Sequence, residues 1–277
     1  MPTINARDTS FYVEKTGNGP TTLLFIHGMC GGAWSWASQV ERLSGQFTCV
    51  TYDRRGHGRS SAGVAGQDYT THADDAAALI QAMELDQPIV VGSSAGGNIA
   101  LELLHRHPQL VQGAVVSEPP LLALDPEPAE ALIAQLTPRL DNALERNDPR
   151  SAVDEFFKVV CAQYWAGIDE SQRDRLRDNA PLLFKTLQAE APRLSAADLT
   201  TLTHPILVVS GSDSLPVALS ITRKLAGLLP NARVVEFSNC GHVTYAEQPD
   251  AFAGAVTAFA REITGVPSSA GATATRR

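Results

Sequence analysis

A serine surrounded by small residues is the first candidate for a catalytic nucleophile. The run IVVGSSAGGNIA at 89–100 places Ser94 at the centre of G-S-S-A-G, between a predicted strand and a predicted helix. Small residues are needed where the backbone turns too tightly for side chains, and such an elbow lifts the central hydroxyl out of the turn. Ser94 is therefore the candidate nucleophile of an acyl transfer, with a merely connecting Gly-rich turn as the alternative.

A histidine is needed beside Ser94, because a serine hydroxyl is a weak nucleophile without a base. His242 follows the last predicted strand, in N-C-G-H at 239–242, and so is expected at the same sheet edge as Ser94. Four other histidines are expected to be surface or capping residues: His72, His105, His107 and His204.

Backbone donors are expected in the loop FIHGMCGG at 25–32, which ends the first predicted parallel strand. The N–H groups of Met29 and Ala95 are predicted to converge on the oxygen that becomes negative when Ser94 attacks a carbonyl. His27 is then a structural residue. The polar residues of the second strand-end loop, YDRRGHGRS at 52–60, are expected to lock their own turn.

Apolar runs that predict strands alternate with helical patterns along the chain. The strand runs are TTLLFIHG, FTCVTYDRRG, PIVVGSS, GAVVSEPP, PILVVSG and ARVVEFSNCGH, and the helix candidates are 70–85, 95–107, 215–229 and 249–263. This alternation predicts a parallel sheet covered on both faces, with 2–15 as an antiparallel hairpin. The predicted organisation is a core of 1–120 and 203–265, a helical cap at 121–202 and a disordered tail at 266–277.

The composition and the cysteine spacing argue against several classes of protein. The net charge of −8 over 277 residues argues against nucleic-acid partners. The start of the chain has neither the basic residues nor the apolar stretch of a secretory signal, and no apolar run is long enough to span a bilayer. Scattered cysteines at Cys30, Cys49, Cys161 and Cys240 form no metal-binding spacing. We expect a cytoplasmic enzyme without cofactor, metal or membrane contact.

These motifs together resemble the α/β-hydrolase superfamily. The matching features are H-G-x after the first parallel strand, D-R-R-G-x-G-x-S after the next, G-x-S-x-G at the elbow and a late G-H, over 20–118 and 203–263. The resemblance implies an eight-stranded, mostly parallel sheet flanked by helices, with a helical cap inserted after the sixth strand. It also implies a Ser-His-acid triad in the chain order that this sequence shows.

Two carboxylates could complete that triad. Asp213 follows the strand that carries the acid in most of the superfamily, but the usual Gly-x-x-Asp count from Gly211 ends on Ser214. Glu118 stands in an E-P-P corner, where an unpartnered carboxylate would be costly. A Glu at this place is similar to zearalenone-type lactone hydrolases, so Glu118 is preferred over Asp213.

The sequence thus predicts a serine hydrolase that cleaves an ester or lactone through an acyl-enzyme on Ser94. Aromatic residues of the cap and first loop favour an apolar or aromatic small-molecule substrate: Phe156, Phe157, Tyr164, Trp165, Phe184, Trp34 and Trp36. The alternatives are a carbon–carbon bond hydrolase of a vinylogous diketone, a cofactor-free perhydrolase or oxygenase, and a non-catalytic binding protein. The oligomeric state is left open, with a homodimer as one candidate.

Overall fold

An eight-stranded sheet forms the centre of the protein in the computed structural model, which describes residues 3–64, 66–188 and 194–265. The strands are β1 (Thr3–Ala6), β2 (Thr9–Thr16), β3 (Thr22–Ile26), β4 (Thr48–Tyr52), β5 (Ile89–Ser93), β6 (Gly113–Ser117), β7 (Ile206–Gly211) and β8 (Ala232–Phe237). Their order across the sheet is β1-β2-β4-β3-β5-β6-β7-β8. The six predicted strand runs and the predicted hairpin all lie in this sheet.

Strand direction follows the hydrophobic pattern. Strands β3 to β8 run parallel, whereas β1 pairs with β2, and β2 with β4, in the antiparallel sense. Every residue of β5, β6 and β7 is buried, as expected for continuous apolar strands covered on both faces. The α/β fold class is therefore confirmed.

Helices cover both faces of the sheet. The helices of the described chain are α1 (Ala37–Leu43), α2 (Tyr69–Ala82), α3 (Ala95–Arg106), α4 (Pro126–Glu145), α5 (Pro149–Val160), α6 (Ala162–Gly167), α7 (Glu170–Arg177), α8 (Ala180–Gln188), α9 (Ala196–Thr200), α10 (Pro216–Leu228), α11 (Thr244–Glu247) and α12 (Pro249–Thr264). Helices α2, α3 and α10 share one apolar core, and α1 and α12 share the core on the opposite face. The sequence did not predict the short helices α1 and α11.

The chain between β6 and β7 is helical wherever the structure describes regular elements in it. Pro126 and Pro149 begin α4 and α5, where the missing N–H costs nothing. A third apolar core joins these helices to Cys30 and Val243, which lie on loops at the sheet edge. The division into a core and a cap stays a prediction, and the predicted tail at 266–277 lies outside the described residues.

One histidine lies where the sequence did not predict it. His72, expected at a surface or capping position, is only 2% exposed in the first turn of α2. Its ring approaches that of His57, with 6.4 Å between the ring centroids. Helix α2 packs against α3, and this packing turns the face that carries His72 inward.

Within 3–64, 66–188 and 194–265, no helix combines the length and the apolarity that a bilayer crossing needs. The four cysteines are buried free thiols. The cytoplasmic location and the absence of a cofactor stay predictions.

Candidate active site

Ser94 occupies a strained turn between β5 and α3. Its backbone has φ 53° and ψ −122°, a combination that is rare for a residue with a side chain. A Cβ atom on Gly92 would lie 2.2 Å from the carbonyl oxygen of Gly96, and one on Gly96 would lie 2.1 Å from that of Ile26. The two glycines are thus required by close backbone approach, and the turn holds the serine at the carboxyl end of β5.

His242 and Glu118 meet at the same edge of the sheet. The Nδ1 atom of His242 lies 2.6 Å from Oε2 of Glu118. The Glu118 side chain is completely buried, whereas 12% of the His242 side chain is exposed. Because parallel strands end at one edge, loops after β6 and β8 that are 124 residues apart in the chain bring these groups into contact.

The second carboxylate oxygen of Glu118 is held by the loop after β7. This Oε1 atom accepts hydrogen bonds from the backbone N–H of Gly211 at 2.9 Å and from the hydroxyl of Ser214 at 2.5 Å. Glu118 itself has a positive φ of 44°. Three donors therefore converge on one buried carboxylate.

Asp213 lies apart from this arrangement. It is exposed, and its carboxylate accepts a hydrogen bond from the hydroxyl of Ser212 at 2.8 Å. Its neighbour Ser214, which stands where the family usually has the acid, instead donates to Glu118. From the sequence, Ser214 is notable only because it occupies the position where the acid is expected. Its hydrogen bond to Glu118 is not predicted.

Glu247 holds the loop that carries His242. Its two carboxylate oxygens accept from the N–H groups of Gly241 at 2.8 Å and Val243 at 3.0 Å, one on each side of His242. Glu247 is the last residue of α11. The sequence does not indicate this role, because a lone Glu shortly after a histidine forms no recognisable motif.

The loop after β3 passes directly beside Ser94. A Cβ atom on Gly28 would lie 3.4 Å from the Cβ of Ser94. Met29 lines the same pocket as Ser94, and Ala95 is the buried first residue of α3. The two residues predicted to supply oxyanion donors therefore flank the serine.

His27 fixes the shape of this loop. Its Nε2 atom accepts the backbone N–H of Arg54 at 3.0 Å, so its other nitrogen, Nδ1, carries the proton and donates to the carbonyl of Gly28 at 2.9 Å. Burial lowers the pKa of His27 well below its ordinary value, which keeps the ring neutral. The side chain thus acts in a structural capacity, as the sequence predicted.

A pocket of about 490 Å³, including its open mouth, contains Ser94 and His242. Its outer wall comes from α5, α6 and α7, with side chains of Phe156, Phe157, Val160, Cys161, Tyr164 and Leu176. Burial raises the pKa of Tyr164 to about 12 and that of the Cys161 thiol well above its ordinary value, so both stay neutral. Apart from His242, the described residues that line this pocket include no Asp, Glu, Lys, Arg or further His side chain.

The predicted aromatic residues divide between the pocket and the cores. Phe156, Phe157 and Tyr164 line the pocket. Trp36 instead packs in the core beside β3, with its ring centroid 5.1 Å from that of Phe25. Trp165 is buried against Phe157, with ring centroids 5.3 Å apart.

One polar residue between α7 and α8 ties this wall to the loop after β3. The buried Asn179 amide donates to the carbonyls of Cys30 at 3.0 Å and Gly31 at 3.2 Å, and its oxygen accepts from the N–H of Gly58 at 3.3 Å. No sequence signal marks this residue, because its partners are backbone atoms 121 to 149 residues away.

A doubly covered parallel sheet with a strained serine at its central strand end defines the class of the α/β hydrolases. Residues 21–249 match the family described as alpha/beta hydrolase fold, which is more than half of the chain. The chain belongs to this family, and the prediction of an α/β-hydrolase enzyme is confirmed.

Several similar proteins are named as hydrolases or esterases. The chain is 30% identical to a protein of Caulobacter vibrioides named as a putative carbamate hydrolase, RutD, over 87% of this chain and 90% of that protein. It is 28% identical to the 2-(acetamidomethylene)succinate hydrolase of Mesorhizobium japonicum, over 89% of this chain and 90% of that protein. A solved esterase from Thermogutta terrifontis shares the fold with a TM-score of 0.78 at 21% identity, covering 95% of this chain and 98% of that one.

Proposed function

We propose that this protein is a serine hydrolase that cleaves a neutral carboxylic ester or lactone. The observation that carries the proposal is the 2.6 Å contact between Nδ1 of His242 and the buried Glu118 carboxylate, in the pocket that also holds Ser94. A carboxylate oxygen accepts, so Nδ1 donates and the opposite ring nitrogen, Nε2, is left as the base. Ser94, His242 and Glu118 then act as nucleophile, base and orienting acid.

The chemistry follows from those positions. His242 takes the proton of Ser94 as the oxygen attacks the substrate carbonyl, and the backbone N–H groups of Met29 and Ala95 stabilise the resulting oxyanion. His242 then gives the proton to the leaving alcohol, which leaves an acyl group on Ser94. A water molecule, deprotonated by His242, attacks this ester and releases the acid.

The pocket lining supports an uncharged substrate group. A buried carboxylate on the substrate would need a cationic partner, and none of the described lining residues supplies a permanent one. A dicarboxylate such as the one named for the Mesorhizobium relative is therefore a poor fit. A carbamate is the second candidate, because the Caulobacter relative is 30% identical and its named substrate class reacts by the same attack on a carbonyl.

The helices between β6 and β7 supply the outer wall of the pocket. We therefore propose that 121–202 acts as the substrate-selecting cap of the core at 1–120 and 203–265. The similarity of Glu118 to the acid of zearalenone-type lactone hydrolases stays a prediction, as does the homodimer.

A substrate panel with mass detection of products tests the proposal. Neutral aryl and alkyl esters, lactones, carbamates, dicarboxylate esters and a vinylogous diketone are offered to the wild type and to Ser94→Ala and His242→Ala. We expect neutral esters or lactones to be hydrolysed and both variants to be inactive, since members of one catalytic unit fail together. A fluorophosphonate should label Ser94 alone.

Undiminished activity of Ser94→Ala, or labelling at another serine, would overturn the nucleophile assignment. Cleavage of the diketone without ester hydrolysis would instead support the carbon–carbon bond alternative. Products that depend on peroxide or oxygen would support the perhydrolase or oxygenase, and folded protein with no turnover on any compound would support a binding protein.

A further inference from the structure

The carbonyl group of Gly28 receives an unusual number of hydrogen bonds. Nδ1 of His27 donates to it at 2.9 Å, Nη2 of Arg54 at 3.0 Å and the backbone N–H of Gly31 at 3.4 Å. A carbonyl oxygen has two lone pairs, so three donors saturate it. This carbonyl belongs to the same peptide group as the N–H of Met29, which is the proposed oxyanion donor.

Arg54 has no neutralising partner among the described residues. Its side chain is buried, with only 1% of the residue exposed, and no carboxylate in the described ranges lies within ion-pair distance of it. Its Nη1 atom also has no hydrogen-bond partner there. The next residue, Arg55, shows the usual solution, because its buried guanidinium is paired with Asp75 at 2.6 Å and Asp8 at 2.7 Å.

A buried and unpaired guanidinium is destabilising, and an apolar side chain of similar length is often neutral or stabilising in its place. A contribution to the stability of the fold therefore does not explain why this buried position carries an arginine. A charged donor makes a hydrogen bond about twice as strong as a neutral donor does, and hydrogen bonds at the two ends of one peptide group reinforce each other.

We propose that Arg54 is a positioning residue for catalysis, which polarises the Gly28–Met29 peptide group through the Gly28 carbonyl and so strengthens the Met29 N–H as an oxyanion donor. This inference rests on the proposed function, because an oxyanion must form on the substrate of Ser94. His27 assists as the neutral second donor and fixes the loop. Arg54 itself does not touch the substrate pocket as the described residues outline it.

Nitrogen-15 NMR measures the polarisation without any substrate. The chain has three methionines, Met1, Met29 and Met83. Labelling with ¹⁵N-methionine therefore gives few amide signals, and the signal of Met29 is the one that a Met29→Leu substitution removes. The same Met29→Leu substitution is made in Arg54→Met and in Arg59→Met, because each of these variants adds a methionine. In Arg54→Met we expect the ¹⁵N resonance of Met29 to move upfield, because its peptide loses the charged donor.

Kinetics then test the consequence. We expect kcat of Arg54→Met to fall about 10-fold with KM unchanged, a smaller loss than the ~10²–10³ for complete removal of an oxyanion donor. Arg59→Met is the matched control, since Arg59 lies on the same loop, is 41% exposed and donates to Asp53 instead of the Gly28 carbonyl. In this control the Met29 resonance, kcat and KM should stay unchanged.

Several outcomes would overturn the proposal. They are an unmoved Met29 resonance in Arg54→Met, a moved resonance with full kcat, or a rise in KM alone. If Arg54→Met does not fold, Arg54→Gln keeps a neutral donor near the carbonyl, and an unmoved resonance with full kcat in that variant is equally decisive. If the proposed function is wrong, the Ser94→Ala variant remains active. The NMR result does not depend on that outcome.

Discussion

At the scale of single residues, the charge beside His242 comes from a different strand end than the family pattern predicts. Glu118 extends from the end of β6, while Ser214, at the usual acid position after β7, donates to it at 2.5 Å. A hydroxyl can donate where a second carboxylate would repel, so the two positions are complementary. The positive φ of Glu118 is the local strain that accompanies this arrangement.

Exchange of each candidate acid for its amide separates their roles. Glu118→Gln keeps the shape of the side chain but removes the charge that stabilises the imidazolium, so we expect kcat to fall by about 10⁴. Asp213→Asn should change kcat less than about twofold, because an exposed carboxylate away from His242 contributes little. Steady-state kinetics on the best ester of the panel measures both.

The reverse result would be a dead Asp213→Asn variant beside an active Glu118→Gln variant. It would require the loop after β7 to rearrange and bring Asp213 to His242. Circular dichroism of both variants serves as the control for folding.

Glu247 supplies the next prediction at this scale. In Glu247→Gln one of the two acceptors becomes an NH₂ group that faces the N–H of Gly241 or Val243, so one hydrogen bond is replaced by a clash of donors. We expect a loss of roughly 10² in kcat, since small misplacement of a catalytic group is costly, with KM nearly unchanged. An unchanged kcat would mean that His242 is held by Glu118 alone.

At the scale of secondary-structure elements, the strand ends decide which residues meet. The apolar runs and the small residues of 92–96 were enough to predict β5, α3 and the strained turn between them. Residue types favoured Glu118 as the partner of His242 but could not establish the contact, because it depends on the side-chain direction at a residue with φ 44°. Asn179 and Glu247 could not be predicted, since both bind backbone atoms, which leave no trace in residue type.

Helix α5 carries the prediction about substrate choice. Phe156 lines the pocket, whereas Phe184, on α8, packs in the same helical cluster without lining it. We expect Phe156→Leu to change the ratio of kcat/KM between small acetates and bulky aromatic esters by about 10-fold. The matched Phe184→Leu variant should leave the ratio unchanged and lower only the melting temperature.

Equal effects of the two substitutions on the ratio would contradict this assignment. Phe156 would then act through the packing of the helices and not through contact with the substrate.

At the scale of the whole molecule, a cluster of neutral histidines lies beneath the active-site loops. His27, His57 and His72 are each 2% exposed or less, and the rings of His27 and His57 have centroids 5.0 Å apart. Burial lowers the pKa of all three well below the ordinary 6.5, and the charge of Arg54 adds to this effect. The cluster therefore links the stability of the fold to pH.

The sign follows from proton binding. Above about pH 6.5 the three imidazoles are neutral in both the folded and the unfolded chain, so they make no difference. Below that pH the unfolded chain binds protons that the folded chain excludes, and the free energy of unfolding falls. Each histidine contributes about 1.4 kcal/mol per pH unit, or about 4 kcal/mol per unit for the three, until the lowered pKa values are reached.

We therefore expect the free energy of unfolding to fall steeply between about pH 6.5 and pH 5, before most carboxylates are protonated. Chemical denaturation at half-unit steps of pH measures the slope. His72→Gln should reduce that slope by about a third, whatever it does to the stability at neutral pH, because one of three excluded protons is removed. His105→Gln is the control, since His105 is exposed at the end of α3 and should leave the slope as it is. A flat profile across this range would show that the buried rings take up protons in the folded state as readily as in the unfolded chain.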